Sequence, residues 1–333
     1  MRFPKFDLNI ISKYRGALMG VSILMVLFCH ARMLKVPLPE PLLYILQMGD
    51  KGVDIFLFLS GVGLYYSLLN REEQGISYLI WFKKRFKRIL IPYLILEVPY
   101  WLFYCISNNI NVLHTIYYVS FVSFWKEHIG AWFLAFLLPL YLVSPFIYKI
   151  SLLRFKNVYL ILLVFLFLYL SIIPHDGFRD YERSVIANIQ FCLERIPCFI
   201  LGMFLGQEIR DHRKISYLWL LAPLVIFGVM NYLPVIRCFH RGWLTALLFT
   251  EVIIVFLHNS RRMTKAMSIL GVATLEIYVS MDCVNNLLYT YMPLGGAFYL
   301  VEIGSSIVLG FCLHSFLSIP LLSTNKSNAK IEH

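Results

Sequence analysis

A chain of 333 residues that is 59% hydrophobic, 16% aromatic and only 15% charged, with a mean hydropathy of +0.70, lacks the polar surface a water-soluble domain of this size needs. Its net charge of +11 rests on basic residues scattered over short segments between apolar runs, so it marks topology and gives no nucleic-acid-binding face. Seven cysteines, an odd number without a C-x-x-C pair and mostly inside apolar runs, form neither a disulfide framework nor a metal site, and no metal or bound cofactor is expected.

The pattern predicts an all-α polytopic membrane protein, a single bundle of about ten transmembrane helices over residues 1–320 followed by a polar cytoplasmic tail, 321–333. The first apolar stretch, Tyr14 to Leu34, reads YRGALMGVSILMVLFCHARML and is long enough to cross a hydrocarbon core of about 30 Å. Because FCHARMLKVP offers no A-x-A cleavage site, this span is expected to stay in the protein. Further spans are expected near 51–69, 90–107, 130–149, 157–173, 188–207, 216–233, 242–258, 267–290 and 296–318. Most of the 30 basic residues then fall on one side, which places both termini in the cytoplasm of a cell membrane, inner or plasma. The more hydrophilic stretches, 70–89, 108–129 and 174–187, are too short for a second domain.

An ionisable side chain inside such a span is costly unless it is paired or faces a wet cavity, which makes each one a candidate. His30 lies about four residues from the outer end of the first span and Asp54 about three residues into the second, so the two are expected at similar depth. A carboxylate beside the imidazole would fix its tautomer and strengthen it as a base, although Asp54 also suits a helix start. Glu194, Arg195, Asp282 and Glu302 fall in outer halves of their spans, and Glu251 and Glu276 near the middle, a pattern that suits a polar cavity. Each also reads as half of a buried ion pair between helices, for instance Arg195 with a glutamate. On the inner side GISYLIWFKKRFKRIL, residues 75–90, reads as an interfacial helix whose Arg85 and Arg88, three apart, share one face and suit phosphates or lipid headgroups.

Five stretches in order, YRGALMGVSILMVLFCH, GVDIFLFLSG (52–61), FKKRFKRILIPYLI (82–95), AWFLAFLLPLYLVSP (131–145) and LGVATLEIYVS (270–280), together resemble the integral-membrane acyltransferase family 3. The family's first-span histidine falls on His30, its aspartate and serine-glycine turn on Asp54, Ser60 and Gly61, and its basic pair on Arg85 and Arg88. Two positions depart from the pattern. Many members carry an arginine where this chain has Met19, its nearest arginine being Arg15 one turn further in, and many have a histidine where it has Met281 followed by Asp282. The resemblance implies transfer of an acyl group from a cytoplasmic acyl-CoA, acetyl-CoA first among them, to a hydroxyl of a surface or lipid-linked glycan. Membrane lipid is a further partner, and nucleic acid is not one. His30 would be the base and Asp54 its companion, while Arg15, Arg85 and Arg88 would hold the donor's phosphates; Arg15 and His30 lie roughly 22 Å apart along a straight helix. The competing classes are a transporter or flippase, which would bind a polar substrate without acyl transfer, and a membrane scaffold.

Overall fold

A computed structural model describes residues 5–172, 185–216 and 243–319. Residues 217–233 of the expected span at 216–233, residues 174–184 of the outer segment and the tail 321–333 lie outside the described residues.

The chain enters through β1 (Lys5–Asp7), which pairs antiparallel with β2 (Lys214–Ser216) and ties the amino terminus to a much later segment. Helix α1 (Asn9–Cys29) follows and ends on His30 as its C-cap. The short α2 (Glu40–Gln47), with Pro41 in its first turn where a missing N–H costs nothing, runs through a 3₁₀ turn at Met48–Asp50 into α3 (Lys51–Glu73). Next come α4 (Tyr78–Ser107), two short helices α5 (Val112–Val119) and α6 (Val122–Glu127), then α7 (Trp132–Ser151) and α8 (Lys156–Ile172). After the gap stand α9 (Val185–Leu193) and α10 (Ile196–Arg210), then α11 (Trp243–His258), α12 (Arg261–Val272), α13 (Thr274–Tyr291) and α14 (Gly296–Leu317).

Six helical segments among the described residues are long and apolar enough to cross a membrane: α1, α2 with α3, α4, α7, α9 with α10, and α14. The pair α12 and α13 passes the same test together but bends by 67° at Ala273, and α8 and α11 are apolar but shorter.

Three local expectations change. The basic segment 75–90 is no separate interfacial helix: α4 starts on Ser77, whose hydroxyl accepts from the Ile80 N–H, and continues unbroken through Pro92 and Pro99. Its 30 residues span about 45 Å, so the first third projects beyond a hydrocarbon core of about 30 Å and carries its charges there. The span expected at 188–207 breaks at Glu194 and Arg195, just ahead of Pro197, which cannot donate a helical hydrogen bond. Ser60 and Gly61 sit inside α3, not in a turn.

Gly61 has a packing role instead. A Cβ there would strike the Phe199 carbonyl oxygen of α10, and one at Gly202 of α10 would strike that of Phe58 in α3. The same device joins α1 to α12, where a Cβ at Gly20 would meet the Met267 carbonyl and one at Gly271 that of Gly16. In lipid, helices gain little from burying apolar surface against each other, and small residues that let backbones touch are a principal source of association. With α3 packed on α1, α7, α10 and α11, these two crossings set the frame in which the polar side chains meet.

Candidate active site

The three arginines read from the sequence converge. Arg15 of α1 and Arg85 and Arg88 of α4 line one cavity of about 660 Å³, together with Ser60 of α3 and Tyr141 of α7. Arg85 and Arg88 share a face by their spacing, and each is held differently. Arg85 donates through Nη2 to the Ser67 hydroxyl, which also accepts from the Trp81 indole at 2.7 Å. Arg88 pairs through Nη1 with Glu276 Oε1 at 2.9 Å, and the fully buried Glu276 has His314 Nδ1 3.3 Å from the same oxygen. Arg15 donates through Nε to the Leu59 carbonyl at 3.4 Å and lies over Gly63, where a Cβ would press on its guanidinium. Met19 lines the same cavity one turn further along α1, so the arginine's displacement by four residues leaves it in the same chamber.

The cavity is elongated along the helices. On α1 its walls run from Arg15 to Val26, eleven residues or about 16 Å, and Val26 lies one turn before His30. On α13 they reach Tyr278, whose oxygen accepts from the Phe133 N–H at 3.2 Å; Asp282 follows one turn later. On α4 they reach Ile89, with Tyr93 and Glu97 at the next two turns. Beyond the end away from the arginines, therefore, α1, α4 and α13 each carry a titratable group.

There the structure changes the expected partnership. His30 Nδ1 lies 3.6 Å from Glu302 Oε1 of α14, the imidazole side chain 21% exposed and the carboxylate fully buried. This is an ion-pair distance, too long for a good hydrogen bond. The Tyr299 hydroxyl donates to the Phe28 carbonyl at 3.2 Å and fixes α14 against the end of α1. Asp54 does not serve His30. It is fully buried and accepts at Oδ1 from Arg195 Nη1 at 2.8 Å, with Lys51 Nζ 4.0 Å from its other oxygen. Depth and azimuth both separate them: α1 and α3 pack with Gly49 against Met25 and Cys29 and Gly52 against Ser22 and Val26, so Asp54 stands more than a turn further in than His30, on the face of α3 that meets the α9–α10 break. Arg195 stacks there against Phe191 and Trp132, its guanidinium 5.1 and 5.7 Å from the ring centroids, and its ion-pair partner is Asp54, with the charge of Glu194 acting on it as well. Glu194 stands in the same break beside it.

Asp282 of α13 lies within electrostatic reach of His30 and faces Glu97 of α4. Glu97 is a candidate that motif reading passes over, although its signal is plain: a lone acid in the apolar run LILEVPYW. Glu251, buried on α11, makes no ion pair among the described residues.

The fold and this arrangement define an integral membrane protein in which an arginine-lined cavity leads toward a histidine–carboxylate pair. The acyltransferase domain of acyltransferase family 3 matches residues 17–321, and the chain belongs to that family of membrane acyltransferases. No curated protein and no solved structure matches it.

Proposed function

We propose that the protein is an O-acyltransferase of the cell membrane, inner or plasma, moving an acyl group, in the first place acetyl, from cytoplasmic acyl-CoA to a hydroxyl of a surface or lipid-linked glycan. The observation that carries the reading is the cavity itself, which gathers Arg15, Arg85 and Arg88 at one part and ends one turn from His30 at another. Guanidinium groups match phosphate oxygens in a bidentate way, so the arginines are the place for the donor's phosphates, and the apolar walls between suit its long thioester arm. His30 acts as general base. It takes the proton of the acceptor hydroxyl as that oxygen attacks the thioester carbonyl; the carbon–sulfur bond breaks, and the departing thiolate recovers the proton. Glu302 is the positioning residue that orients the imidazole and stabilises it when charged, the part first assigned to Asp54. Asp54 and Arg195 hold α3 to the α9–α10 break, and Glu276 aims Arg88.

In this reading both termini and the basic start of α4 are cytoplasmic. The six long segments, the bent pair, α8, α11 and the apolar stretch 216–233 make ten spans, forming one domain to residue 320 with a polar tail behind it. The test is mass spectrometry of surface polysaccharide from cells with and without the gene. An acyl-sized mass difference per repeat unit is expected, and identical polysaccharide with normal protein levels would favour a transporter or flippase.

A further inference from the structure

Beyond the end of the cavity away from the arginines, the described residues gather more buried hydrogen-bond acceptors than donors. Both carboxylate oxygens of Glu302, Oδ2 of Asp282 and Oδ1 of Asn285 are buried without a hydrogen-bond partner among the described residues, and Glu97 leans only on Asp282 and the Trp101 indole. Glu97 and Glu302 are themselves wholly buried. Donors are fewer: the Trp101 indole beside Glu97, on a residue more than nine-tenths buried, and the Asn286 amide. Helical spacing groups them, since Trp101 lies one turn beyond Glu97 on α4, and Asn285 and Asn286 one turn beyond Asp282 on α13. Among the described residues the three carboxylates make one ion pair between them, His30 with Glu302, and no lysine or arginine reaches them. Nor do three His, Cys, Asp or Glu side chains among those residues stand in a metal-holding arrangement.

Buried polar groups are costly without partners, and so many acceptors beside the base call for a ligand rich in donors. We infer that Glu97, Asp282 and Glu302 select the acceptor: a polyhydroxyl compound, neutral or amine-bearing, that carries no carboxylate or phosphate at this end. The inference rests on the acyl-transfer reading and adds the charge of the acceptor to it. Hydroxyl or ammonium hydrogens fill the vacant acceptors, with Trp101 and Asn286 donating to ring or hydroxyl oxygens. An anionic acceptor meets Glu302 and the acidic Glu97–Asp282 pair, with His30 the one cation near them among the described residues, and a site that leaves its own polar groups unpaired or repelled rejects a ligand strongly.

The test uses the whole protein in lipid nanodiscs with three probes of one shape: octyl glucoside, its 2-amino analogue and octyl glucuronide. Binding is read as the rise in thermal unfolding midpoint, and transfer as label moved from radioactive acetyl-CoA. The expected result is that the neutral and amino glycosides bind and are acetylated, with the glucuronide poorer by about tenfold or more in kcat/KM. Glu97→Gln and Asp282→Asn should raise KM for the glucoside and narrow the discrimination against the glucuronide at an unchanged KM for acetyl-CoA, and Glu97→Asp should restore part of it. Should either amide variant fail to fold, the comparison of the three probes on the wild type decides alone. Equal use of all three probes keeps the acyltransferase reading and overturns this one. Selective binding of the neutral and amino probes with no acetylation keeps the site and overturns the acyltransferase reading, while failure of all three to bind or react overturns the site.

Discussion

At the residue scale the account turns on which carboxylate serves which cation. His30 and Glu302 are one pair, Asp54 and Arg195 another, and exchanging Asp54 for Glu302 as the histidine's companion changes what substitution should do. Glu302→Gln removes the charge that steadies an imidazolium at nearly constant volume, so it should lower kcat with little effect on KM for the donor, measured by acetyl transfer from purified protein. Asp54→Asn should act on stability instead, because an arginine left in a buried site without its anion costs about 3–5 kcal/mol. A fall in the unfolding midpoint with near-normal kcat in the surviving protein is expected; an unchanged midpoint with lost turnover would return Asp54 to the chemistry. For the donor, Arg85→Ala with Arg88→Ala should raise KM for acetyl-CoA by about tenfold or more, since each charge-assisted hydrogen bond is worth roughly 1.5–3 kcal/mol. A normal KM would leave the pair as a topology anchor.

Helices show why some of this was legible in the sequence and some was not. Residue type and spacing put Arg85 and Arg88 on one face, and depth counting put His30 and Asp54 near one level. The first holds, because turn angle is a property of the helix alone; the second does not, because α1 and α3 pack in a register that sets Gly49 against Cys29 and leaves Asp54 more than a turn further in than His30. Which helix each face meets is decided elsewhere, by backbone contacts at Gly20 with Met267 and at Gly61 with Phe199, and no count along one span contains that. Hence Glu302, far along the chain, displaced Asp54, and Glu97 joined Asp282 unannounced. The break before Pro197 had a visible cause, whereas the 67° bend at Ala273 carries no proline and reads as one continuous apolar span. The glycine crossings yield their own expectation. Gly271→Leu places a side chain where α1 backbone already stands and should lower the unfolding midpoint strongly, with overpacking typically costing about 1–3 kcal/mol or more. Gly304→Ala, where a Cβ meets open space, should leave the midpoint unchanged.

Over the whole molecule the parts line up along the helices, with arginines at one end of an apolar-walled cavity and a cluster of buried acids beside the histidine beyond the other, which the proposed function reads as a path across the bilayer. That arrangement requires the start of α4 and the segment after it to face opposite compartments. A single cysteine at Gln74 should be labelled by an impermeant thiol reagent only from the cytoplasm, and one at Lys126 only from outside, in a background whose own accessible cysteines are replaced. Labelling of both from one side would contradict the path. The claim on which the rest depends is that acyl transfer passes through His30. Purified wild type and His30→Ala, both monodisperse in lipid nanodiscs, should be compared for transfer of labelled acetyl from acetyl-CoA to octyl glucoside. The account predicts a loss of about 10² to 10⁴ in kcat for the variant, the usual cost of removing a general base, with KM for acetyl-CoA unchanged. Near-normal turnover from well-folded His30→Ala protein would contradict it.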